Sequence, residues 1–223
     1  FTKGNTMSNV SLIALSKPSA ITGCHTANEL IAYTARVSNP ANQSNLETAP
    51  KLVRYLIKEN HWSPFEMVHM TLEIKTTRDI ARQILRHRSF AFQEFSQRYA
   101  VSENFELRGC RLQDSTNRQN SVDTEDWELH EAWRMKQAGL LRETKEVYQW
   151  ALDKGIAKEQ ARAILPEGNT QSTLYMSGTL RSWIHYCQLR MESGTQKEHR
   201  EVAVLCWKII EGHFPDVAEG LEK

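Results

Sequence analysis

From Val68 to Lys75 the chain alternates with period two: Val68, Met70, Leu72 and Ile74 are apolar, while His69, Thr71, Glu73 and Lys75 are polar. Successive side chains of a strand point to opposite faces, so this segment is a strand with one buried and one polar face. It needs a layer to cover its apolar side, and the segments around it carry the helical period that supplies one. Thr26 with Glu29 forms a capping box ahead of a helix over 26–38, with Leu30, Ile31 and Thr34 on one side. Pro50 opens a helix over 49–59, with Leu52, Val53 and Leu56 at helical spacing. Thr77 can cap a helix running to about Arg86, followed by an irregular polar and aromatic loop.

Further on, five acids (Asp123, Glu125, Asp126, Glu128 and Glu131) precede Trp133, Gln137, Leu140, Leu141, Thr144, Tyr148 and Ala151, which recur at helical spacing. Acids at a helix N-terminus complement its dipole, and Gly155 ends the helix. Residues 157–165 form a short helix stopped by Pro166. Residues 179–190 are helical, with Leu180, Ile184, Cys187 and Met191 in one stripe widened by Trp183 and Tyr186. So wide an apolar face suggests contacts on more than one side, such as a subunit interface. Thr195 with Glu198 opens a last helix to about Gly212. Short strands at 10–15 and 173–176 complete an α+β chain with an antiparallel or mixed sheet and long helices. Residues 100–124, with their Asn and Ser, read as loop.

The 223 residues can bury one sizeable core, so a single domain over 1–223 is expected. Met7 followed by a strand-like segment suggests that residues 1–6 are a remnant ahead of the natural start. The segment FTKGNTM lacks the apolar stretch of a signal peptide, and no apolar run approaches the ~18 residues of a membrane span. Cys24, Cys110, Cys187 and Cys206 are far apart and none is paired as C-x-x-C, which reads as free thiols in the cytoplasm. No H-E-x-x-H or paired-cysteine metal site is present, and no G-x-G-x-x-G fingerprint, so neither a metal nor a Rossmann pocket is expected. The net charge of +1 disfavours a protein that wraps a polyanion over its surface.

That balance hides a basic segment. Between Lys75 and Arg98 there are six cations (Lys75, Arg78, Arg82, Arg86, Arg88, Arg98) and two anions (Asp79, Glu94). Arg78, Arg82 and Arg86 recur every four residues and can line one helix face. Guanidinium groups bind phosphate bidentately and stay charged, and here they interleave with Phe90, Phe92, Phe95 and Tyr99. A nucleotide suits this pattern, and so does single-stranded nucleic acid. A solvated helix face would account for Arg78 and Arg82 but poorly for Arg86-His87-Arg88 and the Ser/Gln/Glu loop after it.

Arg86-His87-Arg88, seven intervening residues, then Ser96 reproduces the R-H-R-x7-S signature of flavin-dependent thymidylate synthases. Gln93-Glu94-Phe95-Ser96-Gln97-Arg98-Tyr99 resembles that family's tail. His61-Trp62-Ser63-Pro64-Phe65-Glu66, Arg162-Ala163-Ile164-Leu165-Pro166, and Arg181 with Leu189-Arg190 resemble three further blocks in family order, spanning 61 to 190. The resemblance implies the thymidylate synthase complementing protein fold, which is non-Rossmann. It also implies reductive methylation of dUMP to dTMP, with methylenetetrahydrofolate as carbon donor and FAD, reduced by NADPH, as hydride carrier. It implies a homotetramer with active sites at subunit junctions, acting on dUMP and folate rather than nucleic acid or membrane. The rivals are a single-stranded nucleic-acid binding module and a degenerate member that binds nucleotide without turnover.

Residue by residue, the resemblance places Arg86, His87, Arg88, Glu94, Ser63, Thr179, Leu180, Arg181 and His185 at FAD. It places Gln83, Ile84, Leu85, Arg86, Glu94, Phe95, Ser96, Gln97, Arg98, Arg162 and Arg190 at dUMP, with Arg190 as the catalytic group that assists ionisation at uracil N3. A fixed cation beside the pyrimidine stabilises the anion that makes C5 nucleophilic. The alternative for Arg162 is an ion pair with Glu159, and for Arg190 a cation that offsets the helix dipole. His185 and Thr179 stand where Asn is common in the family, as does Gln93. No cysteine has the Pro-Cys-His context of the classical thymidylate synthase nucleophile; the contexts are Gly-Cys-His, Gly-Cys-Arg, Tyr-Cys-Gln and Leu-Cys-Trp.

Overall fold

The computed structural model describes residues 8–222, and the reading of residues 1–6 as a remnant lies outside them. The alternating segment is strand β2, His69–Thr77. It pairs antiparallel with β1, Asn9–Leu15, on one side and with β6, Gln171–Thr179, on the other. A short strand β3, Ala91–Glu94, completes a four-stranded antiparallel sheet in the order β1-β2-β6-β3. The pleat does what the sequence pattern requires. Val68, Met70, Leu72 and Ile74 are fully buried, joined across the β6 register by Leu174 and Met176. The opposite face is polar, with Thr71 bonded to Ser177 and the Tyr175 hydroxyl donating to Glu73.

The helices are α1 (Ala27–Ala35), α2 (Ala49–Lys58), α3 (Arg78–Ile84), α4 (Trp127–Asp153), α5 (Lys158–Ala161), α6 (Leu180–Arg190), α7 (Lys197–His213) and α8 (Pro215–Leu221). Ile80 and Ile84 of α3, Trp183 and Ile184 of α6, and Val202, Cys206 and Ile210 of α7 join the apolar sheet face in one core. The Thr26–Glu29 capping box is present on α1, and Gly155, with φ of +76°, closes the long α4. No helix among the described residues is long and apolar enough to cross a membrane.

Several expectations are corrected. The segment after α3 contains β3, whose Phe92 and Glu94 oppose Met176 and Leu174 of β6. A four-residue strand is too short to show periodicity, and its partner decides it. Residues 100–124 hold a hairpin of β4 (Arg111–Gln113) and β5 (Ser121–Asp123). Helix α7 starts at Lys197 with Gln196 as N-cap, so Thr195 and Glu198 do not form a capping box. Glu198 is drawn instead to Arg108 and Arg111. Thr77 precedes α3 without a side-chain cap, because its hydroxyl bonds the Asp79 carboxylate.

The wide apolar face of α6 is covered by the chain itself. Leu180, Trp183, Ile184, Tyr186 and Cys187 are all buried, the Trp183 indole donating to the Met70 carbonyl at 3.0 Å. Its width reflects packing between the sheet and α7. The exposed apolar stripe lies on α4, where Trp133, Leu140 and Val147 recur every seven residues.

One close approach sets a prediction. A Cβ on Gly178 of β6 would sit 2.5 Å from Cδ1 of Phe90, which packs on Trp183 and Tyr186. Gly178→Ala is therefore expected to displace the Phe90 ring and to lower stability by about 1–3 kcal/mol, read from the urea midpoint.

Candidate active site

The Arg-His-Arg triplet leaves the C-terminal end of α3 in a turn closed by the His87 amide on the Ile84 carbonyl. His87 turns back toward the end of α6, where Arg190 Nε donates to its Nε2 at 2.9 Å. The ring stands edge-on to Tyr186, with centroids 5.0 Å apart. Burial, and then the charge of Arg190, lower the His87 pKa. His87 is thus a neutral imidazole whose Nε2 accepts and whose Nδ1 carries the proton. Arg86 and Arg88 flank it, exposed, with no ion-pair partner among the described residues.

The rest of the basic segment is largely neutralised. Glu94 of β3 receives Arg78 Nη1 at 3.5 Å and Arg82 Nη1 at 3.3 Å, and the Ser172 hydroxyl at 2.9 Å. Glu167 approaches the same arginines at 4.0 and 3.7 Å. Arg98 pairs with Glu159 at 3.3 Å, both exposed. The alternative partner weighed for Arg162 is thereby taken, and Arg162 has no carboxylate partner among the described residues. Two kinds of arginine result: Arg78 and Arg82 build the site, while Arg86, Arg88, Arg162 and Arg190 have charge to spare for an anion. Gln97, behind the Ser96 turn, is buried with its Nε2 lacking a protein partner. Phe95 is exposed; Ile84 is fully buried and Leu85 half-buried.

The other residues placed at FAD by resemblance, Ser63, Thr179, Leu180, Arg181 and His185, form a second group. Ser63 opens a 3-10 turn, Ser63–Glu66, against α6. Arg181 pairs with Glu66 at 2.6 Å, and His185 stands edge-on to Trp62 at 5.0 Å. Asn60, His61, Trp62, Ser63, Pro64 and Arg181 line an open cleft of about 510 Å³. Thr179 caps α6 through the Ser182 amide, and Leu180 is buried with its N–H bonded to Val68. Arg190 follows Arg181 by nine positions. At 3.6 residues per turn, they lie on opposite sides of α6 and about 13.5 Å apart along it. Within one chain the two groups do not converge.

A family model described as thymidylate synthase complementing protein matches residues 21–216. The chain belongs to that family. It is 53% identical over 212 residues to a probable flavin-dependent thymidylate synthase of Paramecium bursaria Chlorella virus 1, covering 95% of this chain and 97% of that one. It is 52% identical over 216 residues to the flavin-dependent thymidylate synthase of Synechocystis, covering 96% and 99%. The solved structure of a UMP/dUMP methylase, PolB of Streptomyces cacaoi bound with 5-Br dUMP, superposes with a TM-score of 0.78 at 25% identity, covering 97% of this chain and 95% of that one. The mixed α/β architecture with its antiparallel sheet is the fold of this family.

Several supporting residues were not found from the sequence. Residues 104–108 run against 168–171, both outside the blocks that carry the resemblance: Glu106 N bonds Asn169 O at 2.7 Å and Arg108 Nε bonds Gly168 O at 2.9 Å. Arg108 then reaches Asp79 at 2.7 Å and Glu198 at 3.3 Å, tying both loops to α3 and α7. His199 and Tyr186, buried behind His87, carry no motif. Burial, then the charges of Arg190 and His87, push His199 down from 6.5 to about 3. Its folded pKa lies below the unfolded one, so the unfolded chain binds the proton first. The contribution is fully present above pH 6.5 and is lost as pH falls toward 3, at about 1.4 kcal/mol per pH unit. Urea midpoints measured from pH 7 to pH 5 should therefore fall more steeply for the native protein than for His199→Gln.

Proposed function

We propose that this chain is a flavin-dependent thymidylate synthase, converting dUMP to dTMP with methylenetetrahydrofolate as carbon donor and with FAD, reduced by NADPH, as hydride carrier. The observation that carries this is a neutral His87 bonded by Arg190 and flanked by Arg86 and Arg88, with Arg162 close enough to Arg78 to act on it, none of these four guanidiniums having a carboxylate partner among the described residues, in a chain of this family. The donor set fits FAD: Arg86 and Arg88 can neutralise a pyrophosphate, and the cleft lined by Ser63 and Arg181 offers hydroxyl and cation, with His185 against its Trp62 wall. When bound, FAD supplies the hydride that completes the methyl group. The protein's part is binding and charge placement. Arg162 and Arg98 suit the phosphate of dUMP, and the Glu94 and Ser96 turn sets the nucleotide's position. Arg190, oriented by His87, stabilises negative charge on the pyrimidine once N3 loses its proton.

The active form is a homotetramer with sites completed at subunit junctions. Support comes from the two groups at opposite ends and sides of α6, which need a second copy to meet. The α4 stripe of Trp133, Leu140 and Val147 supplies apolar surface for such contacts. The enzyme works in the cytoplasm, where its four free thiols persist.

The test is dTMP formation from dUMP, methylenetetrahydrofolate and NADPH, with and without added FAD. Turnover that requires FAD is expected. A colourless protein that refuses FAD and ignores dUMP, yet binds oligonucleotides with a steep salt dependence, would overturn the proposal in favour of a nucleic-acid module.

A further inference from the structure

His199 of α7 is fully buried, neutral and bonded at both ring nitrogens: Nδ1 lies 3.2 Å from Gln83 Oε1 and Nε2 lies 3.1 Å from the Tyr186 hydroxyl. A neutral imidazole has one donor and one acceptor, so the direction of each bond matters. That direction is fixed from the far end of a chain of contacts. The Glu198 carboxylate can only accept, and it is held by Arg111 at 2.6 Å and Arg108 at 3.3 Å. Gln196 Nε2 donates to Glu198 at 3.0 Å. Gln196 therefore turns Oε1 toward Gln83, whose Nε2 donates to it at 2.7 Å. Gln83 must then turn its own Oε1 toward His199. It follows that His199 carries its proton on Nδ1 and that Tyr186 donates to Nε2.

We propose that His199 is a positioning residue of the nucleotide site, locking the Gln83 amide in the one orientation in which it meets dUMP. The proposal rests on the thymidylate synthase reading, under which Gln83 contacts the substrate. Core filling alone does not account for His199. An apolar side chain would fill the same space without the cost of burying two polar nitrogens. Without the Nδ1 donor, Gln83 Oε1 loses its partner and the amide is held at its Nε2 end alone, by Gln196, so substrate binding must order it again.

The experiment measures dUMP affinity by calorimetry on the FAD-loaded enzyme for the native protein, His199→Phe, Gln83→Leu and the double variant. His199→Phe keeps a buried ring and removes both bonds. The expected result is an approximately tenfold rise in the dUMP dissociation constant, with FAD affinity changed less than about twofold. The double variant should bind no worse than Gln83→Leu alone, because both changes act on one contact. Losses that multiply in the double variant, unchanged dUMP binding, or an equal loss of FAD would each overturn the proposal. If His199→Phe does not fold, His199→Gln against His199→Ala decides: the glutamine amide can donate to Gln83, so equal affinity of the two overturns it. Native protein that fails to bind dUMP overturns the functional reading itself, which separates the two failures.

Discussion

Arg190→Ala is expected to lower the rate of dTMP formation by about 10²–10³-fold while leaving much of the FAD bound. Arg190 ends α6 and donates through Nε to His87, which leaves the outer nitrogens of its fork free for the pyrimidine. The cation is also well placed against the α6 dipole, but that role is worth only about 0.3–1 kcal/mol of stability and cannot account for such a loss of rate. Of the residues assigned to FAD by resemblance, Ser63, Leu180 and Arg181 lie around the start of α6, and Arg86 and Arg88, beside His87, keep their charge, so most of the flavin content should survive. Arg190→Lys is expected to recover little, since an ammonium cannot hold His87 and the base at once as a planar fork can. The charge of Arg190 also lowers the His87 pKa, so the alanine variant should show His87 titrating at higher pH by NMR. Single-turnover dTMP yield and flavin absorbance on the same samples make the measurement. Loss of both in equal proportion would show that Arg190 supports the fold or the cofactor rather than the chemistry.

The sheet's centre was legible because β2 carries a full alternating period, and α1, α2 and α4 because their caps and apolar stripes agree. What was not legible depends on partners distant in sequence. β3 is a strand only because β6 stands beside it, and Glu198 leaves a plausible capping box because Arg108 and Arg111, about ninety residues earlier, hold it more strongly. The width of the α6 stripe was read correctly as burial on several sides, but the cover is α7 and the sheet of the same chain. For the site, the Arg-His-Arg motif and its loop brought Arg86, His87, Arg88 and Glu94 into view, and the separate Leu189-Arg190 block brought Arg190. The motif could not show which arginines are already paired. Nor could it show His199, since a single histidine on an apolar helix face announces neither its burial nor its two partners.

The division of the arginines into builders and binders makes the second large effect. Glu94→Ala is expected to cost about 3–5 kcal/mol of stability and to abolish dUMP binding together. The side chain of Arg78 is only 8% exposed, and Glu94 is its main source of compensating charge; burial already lowers the Arg78 pKa despite it. Without Glu94, Arg78 is left beside Arg82 and Arg162, with Glu167 at 4.0 Å as its remaining ion-pair partner, itself 58% exposed. The Ser172 hydroxyl loses its acceptor as well. The two consequences can be separated. Arg78→Met placed on Glu94→Ala removes the stranded cation and should return part of the lost stability, since a buried pair replaced by apolar groups is often close to neutral. It should return none of the dUMP binding, because the carboxylate that orders β3 and the Ser96 turn is still missing. Urea unfolding and dUMP calorimetry on the single and double variants give the result. A loss below about 1 kcal/mol in Glu94→Ala would mean that Glu167 and solvent neutralise Arg78 unaided, and that the interior of the site is wetter than its burial implies.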